Sequence, residues 1–122
     1  MAIQISPAQQ EVYRKSAVRR AALLQNQLEA RKEKGQIVAK QAADLLKRDF
    51  GVSRVRLFGS LLHPELFHSR SDIDLAVWGI QNYYRAVSHL LDIDPEFEFD
   101  LIAIEEAGPD ILKIIEQEGI DI

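Results

Sequence analysis

Hydrophobic and polar positions change their period once along this chain, near residue 50. From Pro7 to about Phe50, Ala, Leu, Gln, Glu, Lys and Arg dominate. Val12, Tyr13, Ala17, Ala21, Leu24 and Leu28 recur at threes and fours, the spacing of one helix face. Ser6-Pro7 supplies a cap and a first-turn proline. Gly35, the only glycine of this stretch, predicts a stop after Glu33-Lys34. A second helix is then predicted from about Gln36 to Arg48, with Ile37, Val38, Ala42, Leu45 and Leu46 inward, closed by Asp49-Phe50-Gly51.

Beyond Gly51 the period becomes two. Ser53 to Phe58 alternates Val55 and Leu57 against Arg54 and Arg56, and Asp72 to Trp78 is the next strand. Tyr83 to Leu91 has Tyr84, Val87, Leu90 and Leu91 at helical spacing, Asp92-Ile93-Asp94-Pro95 is a turn, and Phe97 to Ile104 alternates again. Pro109 to Glu118 is a helix stopped by Gly119, with an apolar tail from Ile120 to Ile122. The predicted order is two helices, strand, loop, strand, helix, strand, helix, which reads as an α+β fold: a small mixed sheet backed by helices. Residues 1–50 form a helical extension packed on a domain of residues 51–122.

At 122 residues and 47% hydrophobic, the chain suits one core. It has no cysteine, so disulfides and thiolate metal sites are excluded and a cytoplasmic setting is the default. The opening Met1-Ala2-Ile3-Gln4-Ile5-Ser6-Pro7 lacks the basic start and apolar run of a signal peptide, and no segment has the length of a membrane span, so no membrane association is expected. The net charge of −4 conceals a division: residues 1–50 carry ten Lys/Arg against five Asp/Glu, and residues 51–122 carry five against fourteen. The basic charges read first as the solvated face of amphipathic helices. The acidic second half argues against direct nucleic-acid binding.

Chemistry concentrates between Leu57 and Val77. In Ser71-Asp72-Ile73-Asp74-Leu75-Ala76-Val77, Asp72 and Asp74 lie two positions apart and so share one strand face, with Ile73, Leu75 and Val77 on the other. Adjacent carboxylates repel unless a cation compensates them, and hard oxygen ligands select Mg²⁺ or a similar ion. In the third strand Glu96, Glu98 and Asp100 share a face. Asp100, followed by Leu101-Ile102-Ala103-Ile104, sits mid-strand and is the acid expected to join Asp72 and Asp74 if the strands pair. Three carboxylates on two strands suffice to clamp two divalent ions for phosphoryl or nucleotidyl transfer. Gly59-Ser60 supplies the complement: glycine lets phosphate approach the main chain, and the following amides and the Ser60 hydroxyl can donate to it.

Phe58-Gly59-Ser60, the loop, Ser71 to Val77, and Phe99-Asp100-Leu101-Ile102 resemble the signature of the DNA polymerase β-type nucleotidyltransferase superfamily in its minimal nucleotidyltransferase branch, over roughly residues 52–122. The resemblance implies a polymerase β-like fold, ATP as donor, and Mg²⁺ held by Asp72, Asp74 and Asp100. Many minimal members, the MntA-like proteins, are antitoxins paired with an all-helical HEPN-domain toxin ribonuclease. Some transfer AMP from ATP to a tyrosine of that toxin. The resemblance therefore implies an AMP-transferring antitoxin, a HEPN partner and a possible hetero-oligomer with it. No acceptor-binding domain is foreseen in this length, which leaves a small-molecule acceptor such as an aminoglycoside disfavoured.

The chain departs from the family at Leu61-Leu62-His63-Pro64. His63 falls where the family commonly has an arginine. An imidazole grips triphosphate less firmly than a guanidinium, and Pro64 stiffens the loop and removes a donor. His63 and Arg70, the latter reaching over, are the expected additional nucleotide ligands. The alternative is a non-catalytic antitoxin that covers its partner directly. Trp78, Tyr83, Tyr84, Phe97 and Phe99 are assigned to packing, Arg54 and Arg56 to an exposed face, and His68 and His89 to the surface or helix packing.

Overall fold

The computed structural model describes residues 4–63 and 65–122. Pro64, the expected stiffener of the loop, and Met1 to Ile3 lie outside the described residues. The elements run α1 (Pro7–Asp49), β1 (Arg54–Phe58), β2 (Ile73–Trp78), α2 (Tyr83–Leu91), β3 (Phe99–Ala103), α3 (Pro109–Glu118) and β4 (Ile120–Asp121), with single 3₁₀ turns at Ser60–Leu62 and Ile104–Glu106. The sheet is mixed, in the order β3-β2-β1-β4: β1 is antiparallel to β2 and to β4, and β2 is parallel to β3.

One helix replaces the expected pair. α1 starts at a complete capping box, in which the Ser6 hydroxyl accepts from the Gln9 amide and the Gln9 side chain accepts from the Ser6 amide. It passes through Gly35 without a break. Gly35 is buried, and a Cβ there would lie 3.0 Å from Leu61 Cδ1 and 3.3 Å from Phe97 Cε1. The glycine therefore serves close packing of the helix on the domain, which outweighs its helix penalty of about 1 kcal/mol. The helix ends at Asp49, and Phe50 and Gly51 close it as the sequence indicates.

The two halves of α1 have different surroundings. Val38, Ala39, Ala42, Ala43 and Leu46 are buried against the sheet, whereas Ile37, expected inward, is 61% exposed. Val12, Tyr13, Val18, Leu23 and Leu24 are 55–64% exposed. Burying a Leu or Val contributes roughly 1.5–3 kcal/mol, so the second half alone holds this helix to the domain.

Sheet alternation makes two cores. Val55, Leu57, Ile73, Leu75, Val77 and Leu101 face α1 and α2, and Leu61, Phe67 and Phe97 close that layer. On the reverse face Phe58, Ala76, Trp78 and Ile102, with Ile104, pack against Ile111 and Ile115 of α3. Tyr83 donates its hydroxyl to the Leu101 carbonyl, binding α2 to β3. Ile120 and Asp121 add a fourth strand that the sequence does not announce. The Arg54 guanidinium lies 4.4 Å over the Trp78 ring and pairs with Asp121. Arg56, expected outside, is mostly covered and donates to the Ile115 and Glu116 carbonyls at the end of α3.

Candidate functional site: carboxylates at the open end of the sheet

α3 covers only part of the reverse sheet face. Asp74 belongs to that face by alternation with Ile73 and Leu75, and the register sets it beside Asp100 on parallel β3 and opposite Phe58 on β1. Residues in register on neighbouring parallel strands point to the same side, so the Asp74 and Asp100 side chains share one face. Asp72 precedes β2 by one residue, two positions before Asp74, and is exposed. The register sets Asp100, and not Glu96 or Glu98, beside Asp74.

Asp74 is the half-buried member, and its surroundings disfavour its charge. Burial first, then the negative charges of Asp100 and Asp72, push its carboxyl up to about 6. A hard-oxygen donor set whose central carboxyl is penalised by its own neighbours fits a divalent cation. Among the described residues, no three His, Asp or Glu side chains are already gathered tightly enough to hold an ion.

Gly59 touches this group directly. Its φ is +84°, and a Cβ there would lie 2.1 Å from Asp74 Oδ2 and 2.9 Å from its carboxyl carbon. The sequence assigns the glycine to phosphate approach; the structure adds that it makes room for the carboxylate. Ser60 opens the 3₁₀ turn, in which the Leu62 and His63 amides donate back to the Gly59 and Ser60 carbonyls. Leu61 and Phe67 bury themselves in the core and so pin both limbs of the loop.

His63 and Arg70, the expected nucleotide ligands, have other neighbours in this structure. His63 lies between carboxylates, with Nδ1 3.6 Å from Glu65 and Nε2 3.6 Å from Glu118 on α3. Arg70 is exposed, and its backbone amide donates to His68 Nδ1. Ser71 is buried at the loop's end, its hydroxyl accepting from the His68 amide. His89 sets its ring edge-on to Phe50, in keeping with its assignment to packing.

Sequence reasoning does not find Arg31. From α1 its Nη2 donates to the carbonyls of Ser71, 3.3 Å, and Glu96, 3.1 Å, while its guanidinium stacks 4.3 Å over the Phe97 ring. It ties together the segments leading into β2 and β3, the strands that bring Asp72, Asp74 and Asp100 to the site. Lys34, one turn on, pairs with Asp94 and Glu96. Neither role has a local pattern, because both partners lie far along the chain.

Comparison with known proteins adds the following. The family model described as polymerase beta, nucleotidyltransferase, matches residues 40–122. A chain from the complex of tri-AMPylated Shewanella oneidensis HEPN toxin with MNT antitoxin is similar in structure, with a TM-score of 0.54 and 19% identity over 71% of this chain and 70% of that one. A chain of a toxin-antitoxin structure with AMP-PNP gives 0.58 and 21% over 68% and 70%. A chain of a MntA-HepT toxin-antitoxin structure gives 0.54 and 20% over 70% and 69%. Among curated proteins none matches at a significant level.

Proposed function

This chain belongs to the polymerase beta nucleotidyltransferase family, and we propose that it is an antitoxin that transfers AMP from ATP to a tyrosine hydroxyl of an all-helical HEPN ribonuclease toxin, neutralising it. The observation that carries the reading is the in-register pair Asp74 and Asp100 beside Gly59, inside the stretch that the family model spans. Among the similar structures, one contains an AMPylated HEPN toxin and another AMP-PNP, which supports both the donor and the acceptor.

Asp72, Asp74 and Asp100 would hold Mg²⁺. When bound there, Mg²⁺ would neutralise the carboxylates and polarise the phosphates of ATP. In this reading the Gly59-Ser60 turn takes the triphosphate, with the Ser60 hydroxyl as a donor and His63 and Arg70 as further ligands. The acceptor hydroxyl attacks the α-phosphorus, its oxygen-phosphorus bond forms as the bond to pyrophosphate breaks, and its proton passes to a base, for which Asp100 is the candidate.

The test is transfer of label. Incubation of the chain with α-labelled ATP, Mg²⁺ and the HEPN partner should label a tyrosine of the partner, and Asp72→Asn should abolish it. No label above that control would defeat the enzymatic claim. A second reading has an observation in its favour: Glu65 and Glu118 flank His63, a poor setting for a phosphate ligand, and neutralisation by direct binding would not need one. ATP binding with and without Mg²⁺ separates the two, since only the transferase requires it.

A further inference from the structure

Among the described residues, nothing packs on the first half of α1. Residues 7–27 project about 30 Å, and the apolar side chains along them are exposed. At about 100° per residue, Val12, Tyr13, Ser16, Ala17, Leu23, Leu24 and Leu28 share one broad face. That face is continuous with Gly35, Val38 and Ala42, by which the same helix packs on the sheet. It reaches the domain at Leu28, Lys32 and Phe67, which line a shallow pocket beside the loop leading to Asp72. The family match begins at residue 40, so this arm lies outside the matched stretch.

We propose that the arm is the docking surface for the helical acceptor protein, and that the acceptor receives it in an apolar groove containing a carboxylate. The inference deepens the functional reading above and rests on its claim that the acceptor is a helical protein. Charge determines the occupant. Residues 7–28 hold Arg14, Lys15, Arg19 and Arg20 against Glu11 alone, and Glu11 is engaged by Arg14 at 2.7 Å. Arg20 falls in the middle of the apolar face and has no ion-pair partner among the described residues. Neither symmetric pairing of two arms satisfies it. Parallel pairing sets Arg20 against Arg20, and antiparallel pairing of Tyr13 with Leu24 leaves the two guanidinium groups one turn apart with no acid between them. Nucleic acid fits less well: Lys15 and Arg19 lie on the opposite side of the helix from Tyr13 and Leu24, so the cations form no single face and the apolar side chains would meet phosphate. A groove that accepts helix positions i, i+4 and i+11, with a carboxylate for Arg20, satisfies both features. An acceptor seated there would abut the loop and Asp72, where its hydroxyl is needed.

The experiment measures binding apart from transfer. The full chain, Arg20→Glu, and the double variant Tyr13→Ala with Leu24→Ala are titrated against the HEPN acceptor protein of the functional reading above. Alanine keeps the arm helical, checked by circular dichroism. The alanine pair and Arg20→Glu should each weaken binding at least about tenfold, with affinity of the unaltered chain falling as salt rises. Unchanged affinity in both arm variants overturns the proposal. So does failure of the unaltered chain to bind, a dimer of the chain that the alanine pair dissociates, or a nucleic-acid affinity that depends on Arg20 and exceeds that for the protein. Binding that follows this pattern without any label transfer leaves the docking surface standing and removes the transferase; label transfer that the arm variants leave undiminished does the reverse.

Discussion

Replacing Asp74 by asparagine should make the metal-free protein more stable near neutrality while removing its activity. The carboxyl titrates near 6 in the fold, against about 3.9 in an unfolded chain. The folded state therefore holds this proton to higher pH than the unfolded state does. The penalty of ionising Asp74 is absent below about pH 4, grows as pH rises between the two values, and is fully present above about pH 7. Fully buried, such a displacement would be worth about 3 kcal/mol. Asp74 is only half-buried and solvent screens its neighbours, so about 1–2 kcal/mol is expected. In a chain of this length that is a rise in Tm of roughly 3–8 °C. Thermal melts of both proteins at pH 7.5 and pH 4, in chelator and then in Mg²⁺, make the check. Asn should lead in chelator at pH 7.5, the lead should vanish at pH 4, and Mg²⁺ should raise the unaltered protein alone. An asparagine variant that melts lower at pH 7.5, or keeps its advantage at pH 4, refutes the electrostatic account of the site.

Gly59→Ala should lose about 1–3 kcal/mol by denaturant titration, because its Cβ would collide with the Asp74 carboxylate at a φ of +84°, and Mg²⁺-dependent ATP binding should fall with it. Arg31→Ala removes two carbonyl hydrogen bonds and the stack on Phe97, an expected loss of about 2–3 kcal/mol; Arg31→Lys should restore little of it, since an ammonium cannot span the two carbonyls and stack as well. Gly35→Val should destabilise by about 1–3 kcal/mol in the same titration, through the contacts with Leu61 and Phe97, whereas a glycine that only broke a helix would gain stability from the change.

The legible parts of the fold are those whose signals are local. α2 and α3 begin and end where the sequence places them, at Tyr83, Leu91, Pro109 and Glu118, because a turn, a first-turn proline and a stopping glycine bound them. β1, β2 and β3 follow from alternation, and the register of Asp74 with Asp100 follows once β2 and β3 are neighbours. Gly35 is misread because a glycine inside a helical pattern has two meanings, a stop or a close approach, and only Leu61 and Phe97 across the interface decide between them. β4 is two residues long, too short to show a period. Arg56 alternates with Val55 and Leu57 as an exposed residue should, but the end of α3 folds over it, and Arg31 works through carbonyls that carry no sequence signature.

The asymmetry of the two sheet faces explains why the acids can be where they are. One face is closed by α1 and α2 with an unbroken set of apolar residues, which supplies the core. The reverse face is covered by α3 over Phe58, Ala76 and Ile102, and the helix does not extend over Asp74 and Asp100. A longer α3 would desolvate both carboxylates without compensation, a cost of several kcal/mol for each ion. A fully hydrated Asp74 would lack the burial contribution and keep only the screened repulsion of Asp100 and Asp72. Asp74 lies between these limits, half-buried beside Gly59, its carboxyl pushed up to about 6 by burial and by the like charges of Asp100 and Asp72. Such a group is ionised at neutral pH yet poorly compensated by the protein, which is the condition under which an added cation gains most.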